Sequence, residues 1–233
     1  MENKLLNYAI ILASGIGTRF QSDIPKQFLN IGDKTILELT TECFENTEKI
    51  DRIILVVNKE FLQKVKDIVQ KNRYKKVYKI VAGGSTRKDS SFNGVHAIED
   101  DEANILIHDG ARPYITTDII NNCIEALNSG ERALTTAIPM TDTVIEVSDK
   151  KVKKMPSREA LMRVQTPQGF KLSVIRKAHE LAKGDNNFTD DCGMILKYNL
   201  CEITVIDGET DNIKITYPKD LHITEKFSNK INQ

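Results

Sequence analysis

Apolar residues gather in short, nearly unbroken runs along the chain: YAIILA (8–13), RIILVVN (52–58), VYKIVAG (77–83), NILIHDG (104–110), ALTTAIPM (133–140) and CEITVID (201–207). Strands covered on both faces have this composition, whereas a half-exposed strand alternates apolar and polar positions. Between the runs the spacing becomes helical. FLQKVKDIVQKN (61–72) carries apolar residues at 61, 62, 65, 68 and 69, a stripe on one face. ILELTTECFENT (36–47), TTDIINNCIEALNSG (116–130) and SVIRKAHELAKG (173–184) fill other gaps. Threonines open the second of these and Gly130 closes it, while Ser173 and Gly184 bracket the third. Strand–helix alternation predicts an α/β fold with a mainly parallel sheet.

One stretch breaks the rhythm. TDTVIEVSDKKVKKMPSREALMRVQTPQ (141–168) reads as two extended pieces joined by the polar turn SDKK, a β-arm within a single domain spanning 1–233. An exposed hairpin is marginal alone, so the arm is expected to rest on a second subunit. There are no internal repeats, and only SNKINQ at the end has the composition of a frayed tail.

Charge narrows the partners. Lysine plus arginine equals aspartate plus glutamate, 33 of each, so nothing global advertises a nucleic-acid or membrane surface. The four cysteines have no C-x-x-C spacing and read as buried thiols of a reducing compartment. MENKLLNYAIILASG has a faint likeness to a signal peptide, but Asn7 and Tyr8 interrupt it and a first buried strand fits better. No run approaches a membrane span, and the expected location is the cytoplasm.

The chemistry begins where the first strand ends, at Ala13, with the small-residue loop Ser14-Gly15-Ile16-Gly17-Thr18. Ligands of open α/β sheets bind beyond the carboxyl ends of the strands, and glycines there let backbone N–H groups close on phosphate oxygens. A dinucleotide fingerprint needs glycine at position 20, where Phe20 stands, and G-x-x-x-x-G-K-[ST] is absent. Arg19 and the following Pro25-Lys26-Gln27 place two cations beside the loop, as a triphosphate requires.

Further along, AGGSTRKDSSFNGV (82–95) runs from a strand through paired glycines to a helix starting near Ser90, which either caps it or touches a ligand. In ILIHDGARPYI (105–115), Asp109 follows a buried strand and Gly110 leaves room beside it. Asp109 is placed for a metal held by phosphates, or for an Asx turn paired with Arg112. FTDDCG (188–193) reads as a helix cap by Thr189 or Asp190, and Lys214 in ETDNIKIT as an edge-strand lysine unless its company gives it a role. His108 and His179 lack a second histidine at ligand spacing, and His108 reads as a structural imidazole.

In order and spacing, LASGIGTRF…PKQF, AGGSTR, DGARP, DT, VQTPQ, TDD and DNIKIT resemble the 2-C-methyl-D-erythritol 4-phosphate cytidylyltransferase family, which includes ribitol-5-phosphate cytidylyltransferases. The resemblance spans nearly the whole chain. It implies a Rossmann-like nucleotidyltransferase three-layer sandwich, a homodimer through the β-arm, CTP as substrate and Mg²⁺. By matching motifs it gives catalysis to Arg19, Lys26 and Lys214, and nucleotide contacts to Ala13, Ser14, Gly15, Gly17, Gly83, Ser90, Asp109 and Gly110. Asp109 also falls to the metal and, with Arg112, Thr143 and Thr189, to the acceptor side; Arg158 and Thr166, on the arm, would reach the partner subunit's site.

The arm departs from the erythritol-phosphate pattern: Thr141 precedes Asp142-Thr143, and Val144-Ile145-Glu146 follows, where basic residues are usual. That leans toward other polyol phosphates, whereas VQTPQ and DGARP lean toward the erythritol phosphate. The resemblance therefore implies transfer of CMP to 2-C-methyl-D-erythritol 4-phosphate, with ribitol 5-phosphate as the alternative. A non-catalytic nucleotide-binding regulator, an NAD-dependent dehydrogenase and an enzyme using another base are the rival expectations.

Overall fold

The computed structural model describes residues 5–15 and 24–221. In chain order the strands are β1 (Leu6–Ala13), β2 (Asn30–Ile31), β3 (Lys34–Thr35), β4 (Arg52–Val57), β5 (Val77–Ala82), β6 (Ala103–Asp109), β7 (Ala133–Pro139), β8 (Glu146–Ser148), β9 (Lys151–Lys154), β10 (Met162–Lys171) and β11 (Thr204–Asp207). The helices are α1 (Ile36–Glu45), α2 (Leu62–Asn72), α3 (Arg87–His96), α4 (Thr117–Asn128), α5 (Leu172–Leu181) and α6 (Cys192–Lys197).

Seven strands form the central sheet in the order β11-β7-β10-β6-β1-β4-β5. β10 runs antiparallel to both neighbours, β6 and β7; the remaining pairs are parallel. The continuous apolar runs follow from burial on both faces. Along β1, Tyr8, Ile10 and Leu12 enter a core with Ile175 of α5 and Met194 of α6. Ala9, Ile11 and Ala13 point the other way, into a core with Phe44 of α1, Val65 of α2 and Ile124 of α4. The period-two alternation of a strand thus feeds two helical layers from one apolar sequence.

Local chemistry sets the helix starts. Thr35 and Thr86 each form a reciprocal capping box, with Glu38 and Asp89 respectively. Thr116 caps α4. The expected start near Ser90 moves back to Arg87, because the Thr86 hydroxyl takes the Asp89 N–H at 3.0 Å and Ser90 falls one turn inside.

The stretch 141–168 divides in two. Its middle is the expected hairpin, β8 against β9, turning through Asp149 and Lys150, both at positive φ as a two-residue hairpin turn requires. Its end is not arm: residues 162–171 are β10, inserted between β7 and β6, with every side chain from Gln165 to Phe170 buried. VQTPQGF contains a bulge and a cis Thr166–Pro167 peptide; its extended character is as expected, but its place is in the central sheet. Among the described residues no helix is long and apolar enough to cross a membrane.

Candidate active site

The carboxyl ends of β1 and β6, the first turn of α3 and two later loops enclose a cleft of about 720 Å³. At its near wall the chain leaves β1 through Ser14 and Gly15. The Ser14 and Ser90 hydroxyls lie 2.7 Å apart. Ser90 Oγ donates to Thr86 O at 2.9 Å and accepts from the Gly84 N–H at 3.1 Å, which leaves Ser14 as donor to Ser90. Gly83 makes this approach possible: a Cβ there would fall 2.3 Å from Ser14 Cβ. Opposite, Pro25 leads into a single 3-10 turn, Lys26–Phe28. Buried Gln27 donates Nε2 to Ala13 O at 2.8 Å, tying that turn to the end of β1, and Lys26 donates Nζ to Ile215 O at 2.9 Å.

The floor is Asp109, the last residue of β6, with 11% of its side chain exposed. Lys214 Nζ lies 2.7 Å from its Oδ2, and Arg87 Nε 3.3 Å from its Oδ1. Arg112 Nε stands 4.0 Å away while its Nη1 donates to Asn212 O at 2.7 Å. Burial alone would raise the Asp109 pKa; Arg87, Lys214 and Arg112 outweigh it and hold the carboxyl well below the usual range. Asp109 is therefore an anion in a cationic setting.

Behind the carboxylate runs a chain of neutral groups. The Asp109 N–H donates to Thr166 Oγ1 at 3.1 Å, and because Arg112 O can only accept from His108 Nε2, the neutral imidazole accepts the Thr166 hydroxyl's hydrogen bond at Nδ1, also at 3.1 Å. His108 Nε2 then carries the proton it gives to Arg112 O at 3.1 Å. Burial lowers the His108 pKa to about 4, which fits this neutral tautomer. Two glutamines of β10 hold the loops that complete the rim. Gln165 binds Glu209 O at 2.7 Å, and Gln168 binds Asp190 Oδ2 at 2.7 Å and accepts from the Asp191 N–H.

The family model for 2-C-methyl-D-erythritol 4-phosphate cytidylyltransferase matches residues 7–230. The chain belongs to that family. An enzyme of that name from Thermosipho melanesiensis is 41% identical, covering 97% of this chain and 100% of its own. A Haemophilus influenzae bifunctional ribulose 5-phosphate reductase/CDP-ribitol pyrophosphorylase is 38% identical over 97% of this chain, which spans 48% of that protein's length. The 4-diphosphocytidyl-2C-methyl-D-erythritol synthase of Anaerococcus prevotii superposes with a TM-score of 0.85 at 30% identity, covering 97% of this chain and 99% of that one. Membership makes the chain a cytidylyltransferase, a nucleotidyl-transferring enzyme with the Rossmann-like architecture expected.

Within this cytidylyltransferase, Ala13, Ser14, Gly15, Lys26, Ser90, Asp109, Gly110, Thr189 and Lys214 all line the one cleft. Gly17 and Arg19 lie outside the described residues. Gly83 and Arg112 stand just behind the wall, against Ser14 and Asp109. Thr166 does not sit on the arm or reach a partner, contrary to what the resemblance implies; it is buried in β10 against its own chain's Asp109. Thr143 and Arg158 do sit on the arm, around a separate hollow of about 280 Å³, with Arg158 Nη1 3.4 Å from Thr141 O. Sequence reasoning passed over Arg87, Gln27 and Asp191. Arg87 ends the AGGSTR motif, but nothing local says that it turns toward Asp109.

Proposed function

We propose that the chain transfers CMP from CTP to 2-C-methyl-D-erythritol 4-phosphate, with release of pyrophosphate, as a step of isoprenoid biosynthesis in the cytoplasm. The observation that carries this reading is the convergence of Lys26 and Lys214, from opposite ends of the sequence, on one cleft beside the Ser14-Gly15 loop. A phosphomonoester is mostly a dianion at neutral pH, so its oxygen attacks the α-phosphorus without a general base. The reaction then needs two anions brought together and the developing charge neutralised. Lys26, with Arg19, serves the triphosphate; Lys214, beside Asp109 and Arg112, serves the acceptor phosphate.

A divalent cation at this cleft would have Asp109 as its one protein carboxylate among the described residues, in place of Lys214 or Arg87 on one of its oxygens, and would take its other ligands from the substrate phosphates. Asp109 is an ionised hard-oxygen donor at the cleft floor, and Mg²⁺ is commonly held by one or two carboxylates together with substrate phosphates. Bound there, it would neutralise charge on the triphosphate.

The arm supports a homodimer with shared sites. Val147, Val152 and Met155 are each more than half exposed on it, beside Thr143 and Arg158. An apolar surface on a projecting hairpin is suited to a second copy, which would bring Arg158 to the neighbouring acceptor site.

The test is pyrophosphate release from CTP with methylerythritol, ribitol, arabinitol and glycerol phosphates in parallel. Turnover is expected to be fastest with the methylerythritol phosphate. Silence with every acceptor overturns the reading. Fastest turnover with ribitol 5-phosphate would favour the second reading, which the Thr141 and Val144-Ile145-Glu146 surroundings of Thr143 support.

A further inference from the structure

Arg87 is held between two carboxylates from different parts of the chain. Its Nη1 lies 2.7 Å from Asp191 Oδ2, and its Nε 3.3 Å from Asp109 Oδ1. Asp191 has no exposed side-chain surface, and it precedes α6 on the loop that carries Thr189 into the cleft. Its other oxygen accepts from Ser91 Oγ at 2.5 Å, and His179 Nε2 donates to that same hydroxyl at 3.1 Å. Its backbone N–H is fixed by Gln168 Oε1 at 3.0 Å. Asp191 therefore has no freedom to follow a moving arginine.

We propose that the Asp191–Arg87 pair is a positioning device for the transfer reaction, in which Asp191 fixes the guanidinium and the guanidinium fixes the plane of the Asp109 carboxylate. This rests on the reading of the cleft as the cytidylyltransferase site. A carboxylate at a strand end rotates about its last torsion unless both oxygens are held. Here Arg87 holds Oδ1 and Lys214 holds Oδ2, so the plane is set before any substrate arrives. Preorganisation of this kind acts on turnover more than on binding. The pair is also charge-neutral, so Asp191 cancels a cation that would otherwise add to the pull on anions. Loss of Asp191 should leave CTP binding as tight or tighter while turnover drops.

A pair that merely braces the 188–191 loop behaves differently, and four variants separate the cases: Arg87→Met, Asp191→Asn, the double variant and Arg87→Lys. Arg87→Met leaves Asp191 buried without its counter-charge, and its Tm should fall by about 10 °C. The double variant removes both charges, and its Tm should return to within about 3 °C of the parent protein. Its kcat should nonetheless remain at least about tenfold down, with KM for CTP changed by less than about threefold. Recovery of kcat together with Tm would overturn the proposal. Should the double variant fail to fold, Arg87→Lys decides: it keeps the charge and one contact but loses the fork, so kcat should fall at least about tenfold, and parental turnover refutes the assignment. The parent protein, assayed alongside with CTP and 2-C-methyl-D-erythritol 4-phosphate, keeps the two questions apart. No pyrophosphate from the parent sinks the functional reading and this inference with it; turnover by the parent and equally by the variants sinks the inference alone.

Discussion

Lys214 Nζ stands 2.7 Å from Asp109 Oδ2, so a segment beyond the last strand closes onto the end of β6 at the middle of the sheet. The contact joins a cation to an anion at the floor of the cleft, where Arg87 and Arg112 already crowd the same carboxylate. Lys214→Ala should lower kcat on the order of 10²–10³-fold, the cost of losing one preorganised donor to a transition state. Lysine at 214 is over a third exposed, so unfolding should shift little. Steady-state kinetics beside a thermal melt checks both halves.

Lys26→Ala carries the same expectation for turnover. Its Nζ also reaches Ile215 O, which predicts some loosening of the 209–216 segment. Near-parental kcat would remove Lys26 from the catalytic set.

Gly83→Ala probes the nucleotide wall. The added methyl would meet Ser14 Cβ at 2.3 Å and Ser90 Oγ at 2.9 Å, so the Ser14–Ser90 bond has to break. KM for CTP should rise about tenfold or more while the melting temperature moves by only a few degrees. Isothermal titration with CTP is the direct measurement, and unchanged affinity would place the nucleotide elsewhere.

Acid should unfold the protein through two buried imidazoles. Burial lowers both His108 and His179 to about 4, against an ordinary value near 6.5. Between those values the unfolded chain binds protons that the folded chain refuses, so stability falls as pH drops through that window. Tm should decline by roughly 10 °C from about pH 7 to about pH 5. His179→Gln should flatten the slope, and a slope that does not change would show that His179 does not drive it.

Arg158→Ala should cut turnover without altering the melt, because Arg158 is exposed on the arm and its side chain donates to Thr141 O at a long 3.4 Å. Co-purified mixed dimers of Arg158→Ala and Lys26→Ala subunits should regain part of the lost activity, since one shared site would then keep both residues. Mixed dimers as inactive as either parent variant would refute shared sites.

Much of this was legible in the sequence because it is written locally. Apolar runs mark β1, β4 and β6, and Thr116 caps α4 as its position suggests. The loop after β1 and Asp109 after β6 follow from where strands end. What stayed hidden depends on pairing across the chain. β10 carries Gln, Thr, Pro and Gln where a central strand normally carries aliphatic residues, because those polar groups hold neighbouring loops. Arg87 reads as a solvated first-turn residue until Asp109 and Asp191 are seen on either side of it. Thr166 reads as part of the arm for the same reason: it falls within 141–168, and only the ladder with β6 brings it to its own chain's Asp109.

The place of β10 constrains how the chain assembles during synthesis. β1, β4, β5 and β6 are neighbours in the sheet and are complete by residue 109. β7 emerges next, yet it has no seat on that half-sheet, because β10 must first dock along β6. Residues 133–139 therefore have no place beside β6 until residues 162–171 are available. An open sheet edge invites pairing with another chain. The backbone groups of β6 and β7 that face that gap are satisfied only once β10 is sealed between them.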